Sequence, residues 1–208
     1  MEITKFVHSC LLIEFNNKKI LIDPGNFTFD SKSLDIDILK GLDYLIVTHE
    51  HPDHMHIPFI KMIIARYPNS VLITNQSSQE ILKREGVVAT NTTPDFIESS
   101  SVAHEKVFGV EVPENTLFKI NKILTHPGDS LHILSTTPVL ALPVQAPWCS
   151  LTQSVELAVS LKPDTVLPIH DWHWSDLARE IFYKRLEGYF AKEGIKFIGL
   201  KTGEKIKI

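Results

Sequence analysis

Directly after the apolar run "YLIVT", residues 49 to 56 read "HEHPDHMH": four histidines and an aspartate in eight positions. Imidazole is costly to bury and fills a core poorly, but beside carboxylates it is a metal donor. His49-x-His51-x-Asp53-His54 supplies four donors from six residues. On a loop leaving a strand, the His49 and His51 imidazoles can turn to one side and chelate one ion. Asp53 and His54 can then turn toward a second. Imidazole nitrogen with carboxylate oxygen suits zinc, manganese, iron or cobalt.

The surrounding elements must position this cluster. "DYLIVTH" (43–49) is a short β-branched run suited to a strand buried on both faces, so the histidines leave its carboxyl end. Open sheets place ligands at that end of their strands. Upstream, "ITKFVHSCLLIEF" and "KKILIDPG" read as strands around a tight turn at Asn16 and Asn17. Downstream, "IPFIKMIIARYP" and "QSSQEILKREG" have helical length, with "SVLITN" a strand between them. Residues 87–120 are β-like, with a turn "VPENT" separating "KVFGVEV" from "LFKI". "KILTHPGDS", "PVLALPV" and "DTVLPIHDWH" each look like a strand running into a polar turn. "SLTQSVELAVSLKP" reads as a helix with a capping box at Ser150 and Gln153. In "SDLAREIFYKRLEGYFAKEG", Leu177, Ile181, Phe182, Leu186, Tyr189 and Phe190 are expected to share one helical face. "IKFIGLK" reads as a closing strand. Strands and helices alternate without repeats or low-complexity linkers, which implies one α/β domain over residues 1–208.

Composition narrows the classes. With 43% hydrophobic and 22% charged residues, the 208-residue chain can bury a core of ordinary size. A formal charge of −4 argues against nucleic acid as a partner. Glu2, Lys5 and His8 interrupt what a signal peptide would need as an apolar region, and no run approaches a membrane span. Two cysteines, Cys10 and Cys149, imply no disulfide framework. The expectation is a cytoplasmic protein, with no membrane partner and homo-oligomerisation left open.

"THEHPDH" resembles the His-x-His-x-Asp-His signature of the metallo-β-lactamase superfamily. The resemblance implies a four-layer αββα sandwich as a single domain, with two divalent ions at one edge and further ligands from later strand ends. Those ligands are matched in order by His104 in "SSSVAHEK", Asp129 in "THPGDS" and His170 in "LPIHDWH". The implied assignment is His49, His51 and His104 on the first metal; Asp53, His54 and His170 on the second; and Asp129 between them. His126, three residues before Asp129, is the alternative to His104. "FVHSCLLIE…ILIDPG" and the separate "HPGD" segment look like the small stand-alone hydrolases of the superfamily, such as its L-ascorbate-6-phosphate lactonase-like branch. His8, His173 and Trp148 are candidates to stand behind the ligands or to face substrate, whereas His56 and His132 read as surface or structural. Neither cysteine falls at a ligand position, so the thiolate ligand of some antibiotic-degrading relatives is missing.

Two divalent ions sharing a carboxylate would lower the pKa of a bridging water from about 15.7 toward neutrality, giving a hydroxide nucleophile. Asp53 and Asp129 are the expected catalytic carboxylates. Zinc is the first expectation, with manganese and iron as alternatives. The implied reaction is hydrolysis of an ester, lactone or phosphodiester in a small cytosolic metabolite. The alternatives are a phosphodiesterase acting on short nucleotides and a metal-binding scaffold or sensor without turnover.

Overall fold

The computed structural model describes residues 1–109 and 111–208 and divides them into two compact units, residues 1–93 with 201–208, and residues 94–200. Among the described residues, twelve strands form two six-stranded sheets, one in each unit, accompanied by five α-helices.

In the first unit, β1 (Glu2–Lys5), β2 (Leu11–Phe15) and β3 (Lys18–Ile22) form an antiparallel meander. β4 (Tyr44–Ile46) and β5 (Val71–Ile73) continue the sheet in parallel, and β12 (Lys205–Lys207) closes the other edge against β1. The β2–β3 turn places Asn16 at φ 46° and Asn17 at φ 60°, the left-handed pair that a two-residue hairpin needs. Helices α1 (Asn26–Asp30), α2 (Ile57–Arg66) and α3 (Gln76–Arg84) intervene. Phe6, Leu21 and Leu45 pack with Phe59, Ile63 and Leu82 in the core. Because β1, β3, β4 and β5 run the same way, the turns leaving them all emerge at one edge of the sheet.

The second unit repeats this plan. β6 (Ile97–Ala103), β7 (Glu114–Ile120) and β8 (Leu124–His126) are antiparallel. β9 (Val139–Pro143), β10 (Thr165–Ile169) and β11 (Lys196–Phe197) add in parallel to β8. α4 (Leu151–Leu161) starts at the expected Ser150–Gln153 capping box, and α5 (Asp176–Lys192) is capped by Ser175. Leu140, Leu142, Ala158, Val166, Leu186 and Phe190 pack as this unit's core. Again the carboxyl ends of β6, β8, β9 and β10 share one sheet edge.

The structure departs from the sequence expectation in five places. Residues 3–15 are not one strand: the chain reverses between Lys5 and Leu11, with His8 at φ 65° in the turn. "VPENT" is not a turn between strands, because β7 already begins at Glu114. Of "KVFGVEV", residues 106–109 and 111–112 carry no strand and Val110 lies outside the described residues; Phe108 and Val112 stay exposed, so no packing rewards an extended pairing there. On α5, Leu177, Ile181 and Tyr189 face solvent, because Arg179 and Tyr183 take inward positions against Asp171. The closing strand is only Lys196–Phe197, and β12 follows it, joined to β1 through the Glu2–Lys205 ion pair. Among the described residues, no helix is long and apolar enough to cross a membrane.

Candidate metal centre

Three turns at the carboxyl edge of the first sheet bring the first cluster together. The turn after β1 carries His8, the segment after β3 carries Asp23, and the loop after β4 carries His49, His51, Asp53 and His54. Gly25 lets the segment after β3 lie directly against the loop. A Cβ there would overlap the backbone carbonyl of Asp53, so no other residue fits without moving the donors. Asn26 N donates to Pro52 O at 2.9 Å across the same contact.

Asp23 organises the cluster from behind. Fully buried and at φ 49°, it accepts from Thr48 N and Thr48 Oγ1, each at 2.8 Å, and from His54 Nδ1 at 2.7 Å. The partner of His54 Nδ1 is a carboxylate, so that nitrogen is the donor and Nε2 carries the lone pair. The same logic extends one step along the chain. Thr48 Oγ1 spends its hydrogen on Asp23, so at 3.0 Å it accepts from His49 Nδ1, leaving Nε2 as the lone-pair nitrogen of His49. Histidines that bind metal are held this way, with the far nitrogen tied to an acceptor. His8, Asp53 and His54 each offer one donor atom within 4.8 Å of the others, and His49 and His51 do the same as a pair. His8 Nε2 lies 3.1 Å from Asp53 Oδ2, its ring edge-on to those of Phe27 and His54.

The second cluster is built from four strand ends of the other sheet. His104 follows β6, Asp129 follows β8, Trp148 lies after β9, and His170 follows β10 at φ 61°. They converge on Asp129, which is almost fully buried. Its Oδ1 lies 2.7 Å from His170 Nε2, while Oδ2 lies 3.5 Å from His104 Nε2 and accepts from Trp148 Nε1 at 3.1 Å. His104 Nδ1 donates to the carbonyl of Glu105 at 2.6 Å, again presenting Nε2 as the lone-pair nitrogen. Trp148 also packs edge-on against both imidazoles. Buried Asn115 on β7 ties down the Asp129 turn, donating to Pro127 O at 2.9 Å and accepting from Asp129 N at 3.2 Å. Glu105 N donates to Asp129 O at 2.9 Å, linking the two ligand-bearing turns.

His104, Asp129, Trp148 and His170 are thus brought together, as are His8, Asp53 and His54, and His49 with His51. His126 is buried at the end of β8. Its Nδ1 accepts from Gly128 N at 3.3 Å, and it pairs with Phe118 in the sheet. His173 is exposed, with its ring against Trp172. His56 packs on Phe29, and exposed His132 pairs with Glu105. Both thiols sit above their ordinary range through burial, Cys149 pushed up to about 11. The sequence reading gave no role to Asp23, Thr48, Gly25 or Asn115. Only "ILIDPG" held a signal, a charged residue ending an apolar strand.

The donor set fits divalent metal ions. The candidate donors are imidazoles and carboxylates, and three of the imidazoles are pre-set with Nε2 as the coordinating nitrogen.

Comparison with known proteins agrees with this chemistry. The family model of the beta-lactamase superfamily domain matches residues 2–170. The Mycobacterium tuberculosis protein Rv0786c is 29% identical over 89% of this chain and 91% of its own length. A UPF0173 metal-dependent hydrolase of Nanoarchaeum equitans is 24% identical over the whole of both chains. Among solved structures, Igni18, a metallo hydrolase of Ignicoccus hospitalis, superposes with a TM-score of 0.73 at 20% identity, covering 99% of this chain and 97% of that one. With its metal-ligand signature inside a family match that covers most of its length, the chain belongs to the beta-lactamase superfamily.

Proposed function

We propose that the chain is a metal-dependent hydrolase whose two clusters act as the halves of one dinuclear site, within a single domain spanning residues 1–208. His49, His51 and His104 would hold one divalent ion and Asp53, His54 and His170 the other, with Asp129 bridging. The observation that carries this reading is the fixed orientation of His49, His54 and His104, whose Nδ1 atoms each have a protein oxygen as partner. Such wiring serves no core-packing purpose. It is how a protein aims the other nitrogen at an ion. Relatives named as metal-dependent hydrolases support the same class.

When bound, such an ion pair supplies a water of lowered pKa and an electrophile for the oxygen under attack. The chain's own contribution is positional. Asp129 offers its two oxygens in different directions, as a bridging carboxylate must. Trp148 holds one of them from the side. Asp53, whose Oδ2 lies 3.1 Å from His8 Nε2, would orient the attacking water and receive its proton for the leaving group. The reaction proposed is hydrolysis of an ester, lactone or phosphodiester in a small cytoplasmic metabolite, with zinc as the first metal to test and manganese or iron next. Metal-reconstituted protein assayed against lactones, thioesters, phosphodiesters and β-lactams tests this. The proposal expects turnover on at least one class, abolished in Asp129→Ala. No turnover on any class by protein holding both ions would favour the scaffold reading.

A further inference from the structure

We infer that Arg179 and Tyr183, on α5, are positioning residues for metal binding, clamping Asp171 so that the adjacent His170 stays in its strained backbone conformation with Nε2 aimed at the metal.

His170 is the last protein donor in the sequence order and sits at φ 61°, where an L-residue with a Cβ is disfavoured. Such a conformation persists only where neighbouring groups hold it. The hold falls on the next residue. Asp171 is buried, and its carboxylate Oδ2 accepts a short hydrogen bond from the Tyr183 hydroxyl and lies 3.1 Å from Arg179 Nε. Its backbone carbonyl accepts from Arg179 Nη2 at 3.1 Å and from Trp174 N at 3.2 Å. The same guanidinium reaches Trp174 O at 3.3 Å and Asp176 Oδ1 at 2.7 Å. One arginine therefore binds both ends of residue 171 and the start of α5. Together with Tyr183 it fixes the side chain of Asp171 and the peptide plane leaving Asp171, so the residue that would have to swing if His170 relaxed to an extended conformation is held at both its carboxylate and its carbonyl.

This arrangement explains why α5 gives up part of its apolar face. Leu177 and Ile181 are left in solvent, while a charged and a phenolic side chain turn inward. Burying a carboxylate with an arginine and a tyrosine is a poor way to gain stability, because desolvation offsets much of the attraction. It is a good way to fix one geometry.

The inference rests on the proposed role of His170 as a ligand, so the experiment includes a control for that role. Wild type, Tyr183→Phe, Arg179→Gln and His170→Ala are stripped of metal, reloaded with zinc and titrated with a chromophoric chelator to resolve two affinities per chain. Circular dichroism and thermal unfolding of the stripped proteins establish folding. The expected result is that His170→Ala loses one of the two ions. Tyr183→Phe and Arg179→Gln, folded, should bind that same ion about 10- to 100-fold more weakly and leave the other unchanged. The d–d absorption of cobalt-loaded Tyr183→Phe should shift, which a purely structural role would not cause. Both ions held with wild-type affinity in the two clamp variants, with one lost in His170→Ala, overturns the clamp alone. Both ions retained in His170→Ala overturns the ligand assignment, and the clamp with it.

Discussion

Asp23→Asn is the sharpest perturbation of the site that leaves the proposed ligands in place. The carboxylate accepts three hydrogen bonds, at Oδ1 from Thr48 N and at Oδ2 from Thr48 Oγ1 and His54 Nδ1. An asparagine of the same shape has one oxygen and one NH2. With the oxygen toward His54, the NH2 meets the Thr48 N–H; reversed, it meets the imidazole and the hydroxyl. The first arrangement sets a buried donor against a donor, at a cost of about 1–3 kcal/mol, the second turns His54 to the tautomer with its lone pair on Nδ1, and both lose the charge-assisted bond to His54. The expected loss is about 2–4 kcal/mol in the metal-stripped protein, read by urea unfolding. Metal affinity of the loaded protein should fall about 10- to 100-fold, because His54 is no longer held with Nε2 as its lone-pair nitrogen. An unfolding free energy within about 0.5 kcal/mol of wild type, with metal affinity unchanged, would refute the inference that Asp23 sets the histidine tautomers.

Two further outcomes are expected. His104→Ala should lower the metal content by one ion per chain while His126→Ala leaves it intact, as measured by elemental analysis after gel filtration; the reverse pattern would reinstate His126 as the ligand. The Tyr183 phenol lies above its ordinary range, through burial first and then through the charge of Asp171 and the hydrogen bond to it. The unfolded phenol ionises near 10 while the folded one keeps its proton, so this contribution to stability is complete below about pH 10 and falls above it, by at most about 1.4 kcal/mol per pH unit. Denaturant melts of wild type and Tyr183→Phe between about pH 9 and 11.5 should diverge in that direction, and parallel curves would contradict it.

The chemistry was far more legible in the sequence than its support. His49, His51, Asp53 and His54 lie in one short segment, and their spacing speaks for itself. His104, Asp129 and His170 are single residues at strand ends, found through the family pattern and then seen gathered within one unit. Asp23 and Asn115 left little trace, because a buried polar residue that serves another side chain looks like any strand or turn residue until its partner's position is known. The reversal at His8 was hidden because the left-handed conformation was taken up by a histidine, with no glycine to mark it. The short exposed strand Lys205–Lys207 carries no apolar pattern, and only its pairing with β1 defines it. On α5 the helical period was correct but the buried face was misjudged. The inward side chains are Arg179 and Tyr183, drawn in by Asp171 rather than by apolar burial.

The central claim is a pair of metal ions in each chain. Elemental analysis of protein purified without chelators or added metal tests it most directly. Two ions per chain, both lost in Asp129→Ala, is the expected result. A content near zero that reconstitution does not raise would contradict it.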